Sequence, residues 1–387
     1  MKRNNWIKLV REINVIRLKN ILKGIGNCSI FCFFFIHNIS LIQAQEPAID
    51  SIDTFRPSFA ALPLVFRSPE TSWGFGAGAF YAFKFTNQSA HTRPSQIQIG
   101  FAYTLLHQVL SYIPFQFFTN ENRYQISGEL GYYKYIYDFY GIGNQIPVDY
   151  RETFDVVFPR LRLQALHQFK PLQYVGFRYS WDDYQITRTE PDGFLGKQEV
   201  TGSRGNVVSS LGIIYQIDSR DNIFSTRTGW FVEALFAVNS TFLGSDLNFQ
   251  KWILDARKFF PLSSGTELGI NGYLEFSNGE VPFNQMALIG GTKRMRGYYE
   301  GRYRDNHMIL FQSEYRFPIW WRFSGVVFGG AGLVAGSFND INPEYIKWSL
   351  GSGLRFALAK ASRINLRLDI AIGKKSSGLY LTVGEAF

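Results

Sequence analysis

The sequence predicts an all-β protein, a 16-stranded antiparallel transmembrane β-barrel. Three observations predict this class: segments that alternate apolar and polar residues, a high content of aromatic residues, and a first stretch that resembles an export signal. Of the 387 residues, 46% are hydrophobic and 17% aromatic, with 36 Gly. No uncharged apolar run approaches the roughly 18 residues that a membrane-spanning helix requires. An aromatic-rich chain without such a helix indicates β-structure.

Alternation with a period of two is clearest near the end of the chain. In INLRLDIAIG the apolar face holds Ile364, Leu366, Leu368, Ile370 and Ile372. The pattern fits a soluble sandwich or a membrane barrel equally well. The barrel is favoured because the other face carries full charges, which a packed core excludes and a wet lumen accepts. Aromatic clusters near strand ends, 132–137 and Trp320-Trp321, are interpreted as interfacial girdles rather than as ligand-binding surfaces.

Sixteen segments show this alternation, an even number, as closed bacterial barrels have. They lie near 58–66, 73–86, 95–106, 109–119, 123–137, 153–168, 172–188, 205–218, 228–239, 246–260, 264–277, 307–320, 323–335, 346–359, 361–373 and 378–387. The predicted barrel therefore covers 58–387. A short periplasmic segment, 45–57, precedes it and leaves no room for a folded periplasmic domain.

The first 44 residues are interpreted as a signal peptide, with basic residues, a short apolar core and a cleavage site after Ala44. A membrane-anchored N-terminus is the alternative. Both cysteines, Cys28 and Cys32, lie there, so the rest of the chain has neither a disulfide nor a cysteine metal site. The stretch also holds seven of the 40 Lys and Arg and one of the 31 Asp and Glu, which leaves a net charge of +3. A nucleic-acid-binding role drawn from the basic pI loses its support.

The longest gap between predicted strands reads GGTKRMRGYYEGRYRDN and carries five basic residues. Its Gly290-Gly291 pair, followed by Arg294-Met295-Arg296-Gly297-Tyr298, resembles the long sixth extracellular loop of the BamA/TamA superfamily (bacterial surface antigen family), here in a short form without POTRA domains. The resemblance implies that the loop folds back into the barrel, so the fold class becomes a barrel with a long inward-folded loop. A cationic surface loop that touches lipopolysaccharide is the alternative.

The resemblance also implies a lumenal loop lock, formed by Arg296, Gly297 and Tyr298 of the loop and by Glu314, an acid on the polar face of the next strand. Members of the family usually carry an Asp on the strand after that, where this chain has Gly330. We therefore expect the docking site to have lost one acid.

Two further motifs resemble this family. Asp218-Ser219-Arg220-Asp221-Asn222 is similar to its D-x-R-D-N turn, although a polar turn bonded to its own backbone explains the same residues. The terminal Phe387 is similar to the family's C-terminal assembly signal. The resemblance further implies a weak lateral seam between the first and last strands, and Gly384 is expected to loosen the packing of the last one.

No motif for catalysis, a metal or a cofactor is present, and the histidines outside the signal (His91, His107, His167, His307) are scattered. A triad assembled from distant strands is the enzymatic alternative. The resemblance implies a bacterial outer-membrane protein that aids insertion or translocation of other outer-membrane or surface proteins. The expected partners are outer-membrane lipids and lipopolysaccharide, client proteins, and a separate periplasmic protein replacing the POTRA domains. A channel or a structural accessory subunit of an envelope complex is the other candidate.

Overall fold

A computed structural model describes residues 57–89, 92–147, 149–359 and 363–387. The chain divides after Ile52 into two units, and the second contains every element described below. The predicted signal peptide, residues 45–56 and His91 lie outside the described residues. Among the residues described, no helix has the length and apolar character to cross a membrane.

The described part of the chain forms eighteen β-strands joined by loops and short 3-10 turns. They are β1 (Ser58–Ser68), β2 (Ser72–Phe83), β3 (Ser95–Thr104), β4 (Val109–Phe118), β5 (Tyr124–Phe139), β6 (Glu152–Lys170), β7 (Gln173–Arg188), β8 (Asn206–Asp218), β9 (Gly229–Asn239), β10 (Phe249–Ser263), β11 (Thr266–Gly279), β12 (Ala287–Ile289), β13 (Tyr303–Asp305), β14 (His307–Trp320), β15 (Phe323–Ala335), β16 (Lys347–Ala359), β17 (Ile364–Gly373) and β18 (Ser376–Val383).

Sixteen of these strands pair antiparallel, each with its neighbours in sequence, and β18 returns to β1 to close the barrel. The predicted fold class is therefore confirmed. The two remaining strands, β12 and β13, form a small ladder inside the loop at 280–306 and were not predicted. Pairing between neighbouring strands satisfies most of their backbone groups, as a membrane barrel requires, and the junction of β1 and β18 is the exception.

Hairpin connections divide the barrel into two ends. The loop end carries the long connections 140–151, 189–205, 280–306 and 336–346, and the turn end carries mostly short ones. Outer-membrane barrels have long extracellular loops and short periplasmic turns. The loop end therefore faces the cell exterior.

The aromatic clusters split between the two faces of the wall. Trp320 is 72% exposed and faces outward at the turn end, as a girdle residue does. On β5 the prediction is wrong for alternate residues. Tyr132 is half exposed, but Tyr133 is buried, and its ring centroid lies 5.1 Å from that of Phe158. The ring of Tyr135 stacks on Tyr133, and the ring of Tyr137 stacks on Tyr135. Strand alternation sends every second side chain into the lumen, so these tyrosines fill the barrel.

Candidate functional site: a loop held inside the barrel

The loop at 280–306 narrows to a compact tip. Its two arms pair as β12 and β13, and Gly290 and Gly291 begin the tip with φ angles of 117° and 83°. Glycine adopts these left-handed conformations at a lower conformational energy than any other residue, because it has no Cβ. The Gly290 N–H donates to the Arg294 carbonyl at 2.8 Å, and the Gly291 N–H donates to the Tyr298 carbonyl at 3.1 Å. Both glycines thus shape the tip from its base.

Two further left-handed residues flank Arg296. Met295 has a φ of 57° and Gly297 a φ of 111°. A side chain is rarely tolerated at such angles, so Met295 is an uncommon conformer that its buried packing must maintain. The Gly297 N–H donates to the Tyr380 hydroxyl at 2.8 Å. The tip therefore bends sharply on both sides of Arg296 and directs it at the wall.

The Arg296 guanidinium contacts two carboxylates. One of its terminal nitrogens donates to Glu314 on β14, and the other donates to Asp369 on β17. The guanidinium carbon also lies 3.4 Å from the ring centroid of Phe328 on β15. Arg296 is 2% exposed, and both acids are fully buried. The structure thus brings Arg296 and Glu314 together and adds a second acid.

The expectation that the docking site has lost an acid is wrong, because Asp369 supplies one from a different strand. Gly330 has another consequence. A Cβ placed there would lie 3.4 Å from Cγ of Met295, and one at Gly332 would lie 3.2 Å from its sulfur. The two glycines leave the space that the Met295 side chain needs. The Met295 side chain of the tip therefore occupies space that larger side chains at Gly330 and Gly332 on β15 would fill.

Each acid is shared with another arginine. Glu314 accepts from Nε and Nη2 of Arg316 at 2.9 and 2.7 Å, and Asp369 accepts from Nη1 of Arg355 at 2.5 Å. Buried charges are costly unless each is paired and hydrogen-bonded. The site meets this condition by alternating acids and arginines.

The same arginines reach the end of the chain. Nε of Arg355 donates to Glu385 at 2.7 Å, and Nη2 of Arg316 donates to the Phe387 carbonyl oxygen at 3.2 Å. A continuous charged network therefore connects the loop tip with the C-terminal residues.

Tyr298 fixes the other side of the tip. Its hydroxyl donates to the Trp348 carbonyl at 2.8 Å and accepts from the Lys374 N–H at 2.7 Å. Its ring lies over Gly373, where a Cβ would collide with it. Tyr298 thereby joins the loop to β16 and to the β17–β18 turn.

The turn at 219–228 lies at the opposite end and is tied to its own backbone and to other strands. Asp218 accepts from the N–H and Nε of Arg220 at 3.2 and 2.9 Å, and Arg93 approaches the same carboxylate at 3.4 Å. Asp221 accepts from two N–H groups of the turn, at 2.9 and 3.2 Å. Arg316 donates to the Thr226 carbonyl at 3.3 Å. The turn thus touches the arginine that binds Glu314.

The seam, defined as the junction of β1 and β18, is short. The two strands share the single ladder pair Arg67 and Leu381, whereas β1 pairs with β2 along its whole length. Gly384, with a φ of 87°, ends β18, and the last residues turn into the lumen. The ring of Phe387 is 6.3 Å from that of Phe259. The last strand therefore ends earlier than predicted.

An acid on the first hairpin also holds the loop. Glu70, in the turn between β1 and β2, accepts from the Glu300 N–H at 2.8 Å. Burial, with a contribution from the Glu300 carboxylate, raises the pKa of Glu70 to about 7. The strand that borders the seam is thus linked directly to the loop.

Sequence reasoning missed Asp369, Arg355, Glu385 and Phe328 as parts of this site. Alternation already places Asp369 on the polar face of β17. Nothing in the one-dimensional pattern says which polar residues on different strands lie at the same height in the barrel. Within the described residues, no group of three or more His, Cys, Asp or Glu residues is arranged to hold a metal ion.

A closed sixteen-stranded barrel with short turns at one end, lipid-facing apolar residues and a charged lumen defines an outer-membrane β-barrel protein. The model of the Omp85 superfamily domain matches residues 61–387. The chain therefore belongs to the Omp85 superfamily and lies in the bacterial outer membrane.

Solved structures share this fold at low sequence identity. BamA from Haemophilus ducreyi lacking POTRA domains 1–3 is 13% identical with a TM-score of 0.54, over 85% of this chain and 70% of that one. CdiB from Acinetobacter baumannii is 12% identical with the same TM-score, over 84% and 59%, and CdiB from Escherichia coli is 9% identical, over 86% and 64%. The chain thus spans less than two thirds of either CdiB structure. Among curated proteins none matches.

Proposed function

We propose that this barrel aids the insertion or translocation of other outer-membrane or surface proteins, and that the seam is where clients engage. The observation that carries the proposal is the single ladder pair between β1 and β18. Unpaired N–H and C=O groups along an edge strand are a template for a further strand. A client strand would add to β1 at its unpaired edge.

The lumenal loop lock has a part in the same proposal. Arg296, Glu314 and Asp369 hold the loop against β14 and β17, and Glu70 holds it to the first hairpin. The loop thus contacts the walls on both sides of the seam. In our proposal it keeps the barrel stable while the two seam strands separate.

Crosslinking the seam tests this function. Both native cysteines lie in residues 1–44. An Arg67→Cys and Leu381→Cys pair therefore forms a disulfide without competition from any other cysteine in the barrel. The matched control joins Leu368→Cys to the same Leu381→Cys, because Leu368 and Leu381 are ladder partners on β17 and β18. Neighbouring pairs in antiparallel ladders lie within the range that a disulfide can span.

The readout is the outer-membrane proteome of cells that carry each oxidised pair in place of the wild-type gene. Depletion of particular barrels or surface proteins with the seam pair, restored by reductant and absent with the control pair, is the expected result. A proteome that stays unchanged with the seam pair, although deletion of the gene depletes it, contradicts a role for the seam. A periplasmic partner, if one delivers clients, should copurify with the wild-type protein.

A channel is the second candidate, favoured by a cavity of about 440 Å³ in the lumen beside the loop. Arg162, Arg178, Asp182 and Lys251 line it, among other residues of β5 to β10. Planar-bilayer conductance separates the two functions. Conductance that rises when Arg296 is replaced, with the proteome unchanged on gene deletion, would favour the channel.

A further inference from the structure

Two carboxylates meet at the loop end, where the loop at 280–306 returns to the wall. Asp305 is the last residue of β13, and Asp340 lies in the connection 336–346. A Cβ placed on Gly336 would lie 3.5 and 3.7 Å from the two carboxylate oxygens of Asp305 and 3.6 Å from Oδ2 of Asp340. Both acids therefore border one small space beside Gly336, which has no side chain to fill it.

Neither carboxylate forms an ion pair with a Lys, Arg or His side chain among the described residues. Asp305 is 8% exposed and accepts a hydrogen bond from the Asn306 N–H at 2.9 Å. Asp340 accepts from the N–H and the hydroxyl of Ser337, at 3.0 and 2.8 Å. Burial, together with the neighbouring Asp340 carboxylate, raises the pKa of Asp305. A buried carboxylate without a positive partner is costly, so this pair differs from the acids of the loop lock, which have arginines.

Two amide oxygens beside these acids are buried and accept no hydrogen bond within the described ranges. The first is Oδ1 of Asn306, whose Nδ2 donates to the Gly336 carbonyl at 3.4 Å. The second is Oδ1 of Asn144, and a Cβ on the preceding Gly143 would lie 3.7 Å from Oδ2 of Asp305. Buried polar atoms in proteins nearly always have a partner, and an ion is one kind of partner. Oxygens that share this need beside two unpaired carboxylates point to a cation.

Two acids and otherwise amide oxygens form a ligand set that suits a hard cation and does not suit zinc. Ca²⁺ takes about six to eight oxygens at about 2.3–2.6 Å in flexible geometry, whereas Mg²⁺ requires near-ideal octahedral geometry at about 2.0–2.1 Å. The oxygens here come from three separate connections, 140–151, 280–306 and 336–346. Gly336 and Asp340 are exposed, so solvent reaches the site and water can complete the coordination. This arrangement fits Ca²⁺ better than Mg²⁺.

We propose that Asp305 and Asp340, with the amide oxygens of Asn306 and Asn144, form a calcium site at the extracellular end of the barrel. The ion offsets the charge of the buried Asp305 and joins three extracellular connections at one point. Asn306 directly precedes β14, the strand that carries Glu314. The site therefore fixes the returning arm of the loop whose tip forms the lumenal loop lock. This proposal does not depend on the proposed insertion function.

Hydrogen exchange of the full chain in zwitterionic detergent micelles tests the site, after a chelator has removed bound metals. Ca²⁺ or Mg²⁺ is then added to about 10 mM, above the dissociation constants of about 10⁻⁴–10⁻³ M that extracellular calcium modules have. Ca²⁺ should slow exchange of residues 303–307 and 336–342 about tenfold or more, because a ligand of the closed form protects it in proportion to its concentration over Kd. Asp305→Asn and Asp340→Asn should each remove most of this effect. Asp192→Asn, at an exposed aspartate of the connection 189–205, is the matched control and should keep it.

Exchange that Ca²⁺ leaves unchanged in the wild-type protein would overturn the proposal. Equal slowing by Mg²⁺ would overturn the assignment to calcium. Slowing that persists in both aspartate variants would place the ion elsewhere on the protein and overturn the site. If Asp305→Asn does not fold, Asp340→Asn decides the question, because that side chain is exposed. Wild-type slowing in Asp340→Asn would then count against the site.

Discussion

Arg296→Met should release the loop tip from the barrel wall. The substitution removes the charge and keeps much of the side-chain length, so it tests the contacts with Glu314 and Asp369. Each hydrogen bond to a charged group contributes about 1.5–3 kcal/mol. The loss of docking free energy should lie near the lower end of the range for two such bonds, because Arg316 and Arg355 still pair with the two acids. We expect docking to weaken by about 3 kcal/mol, which is about a hundredfold in the docking equilibrium.

Hydrogen exchange of residues 287–305 measures this directly in detergent micelles. Exchange follows the open population of the loop when opening and closing are fast, so Arg296→Met should exchange about a hundredfold faster than wild type. Lys293→Met is the matched control. It removes one positive charge three residues earlier, and the Lys293 side chain has no ion pair among the described residues. Equal exchange in the two variants would refute the reasoning.

A charge swap between Arg296 and Glu314 provides a second test of the same site. Arg296→Glu combined with Glu314→Arg should restore docking only in part. Arg316 loses the carboxylate that it binds at 2.7 Å, and Asp369 remains beside the new acid. Full recovery of wild-type exchange would mean that the Glu314 pair acts alone and that the wider network contributes nothing.

Three other perturbations follow from the structure. Gly297→Ala should destabilise the docked tip by about 1–3 kcal/mol, because a φ of 111° strains any side chain; the same exchange experiment measures it. Glu70→Gln should flatten the dependence of heat stability on pH. Its folded pKa of about 7 lies above the usual 4.5, so protonation stabilises the fold and this contribution is lost as pH rises from 4.5 towards 7. Asp218→Asn should lower the temperature of heat unfolding on gels, since the carboxylate binds Arg220 and Arg93.

Each of these has a contrary outcome. A Gly297→Ala protein that exchanges as slowly as wild type would show that the tip does not need a left-handed residue there. If heat stability depends on pH in Glu70→Gln as it does in wild type, that dependence comes from other acidic residues. An Asp218→Asn protein of wild-type heat stability would leave the turn held by its backbone bonds alone.

The sequence by itself determined the barrel, because alternation between lipid and lumen is a local property of each strand. INLRLDIAIG shows this: its apolar and polar faces are readable without any partner strand. Sixteen such segments predicted sixteen strands. The loop tip was likewise predicted through its resemblance to a family, and the structure places Arg296 beside Glu314 as that resemblance implied.

Tertiary structure decided what alternation cannot encode, namely which lumenal residues lie at the same height and which face a residue near a strand end adopts. Asp369 is 55 residues beyond Glu314 in sequence and reaches the same guanidinium because the closed barrel arranges β14 and β17 around the loop. Tyr133 faces inward although its cluster resembles a girdle. The turn of the last residues into the lumen depends on Arg316, Arg355 and Phe259, contacts that exist only once the barrel has closed.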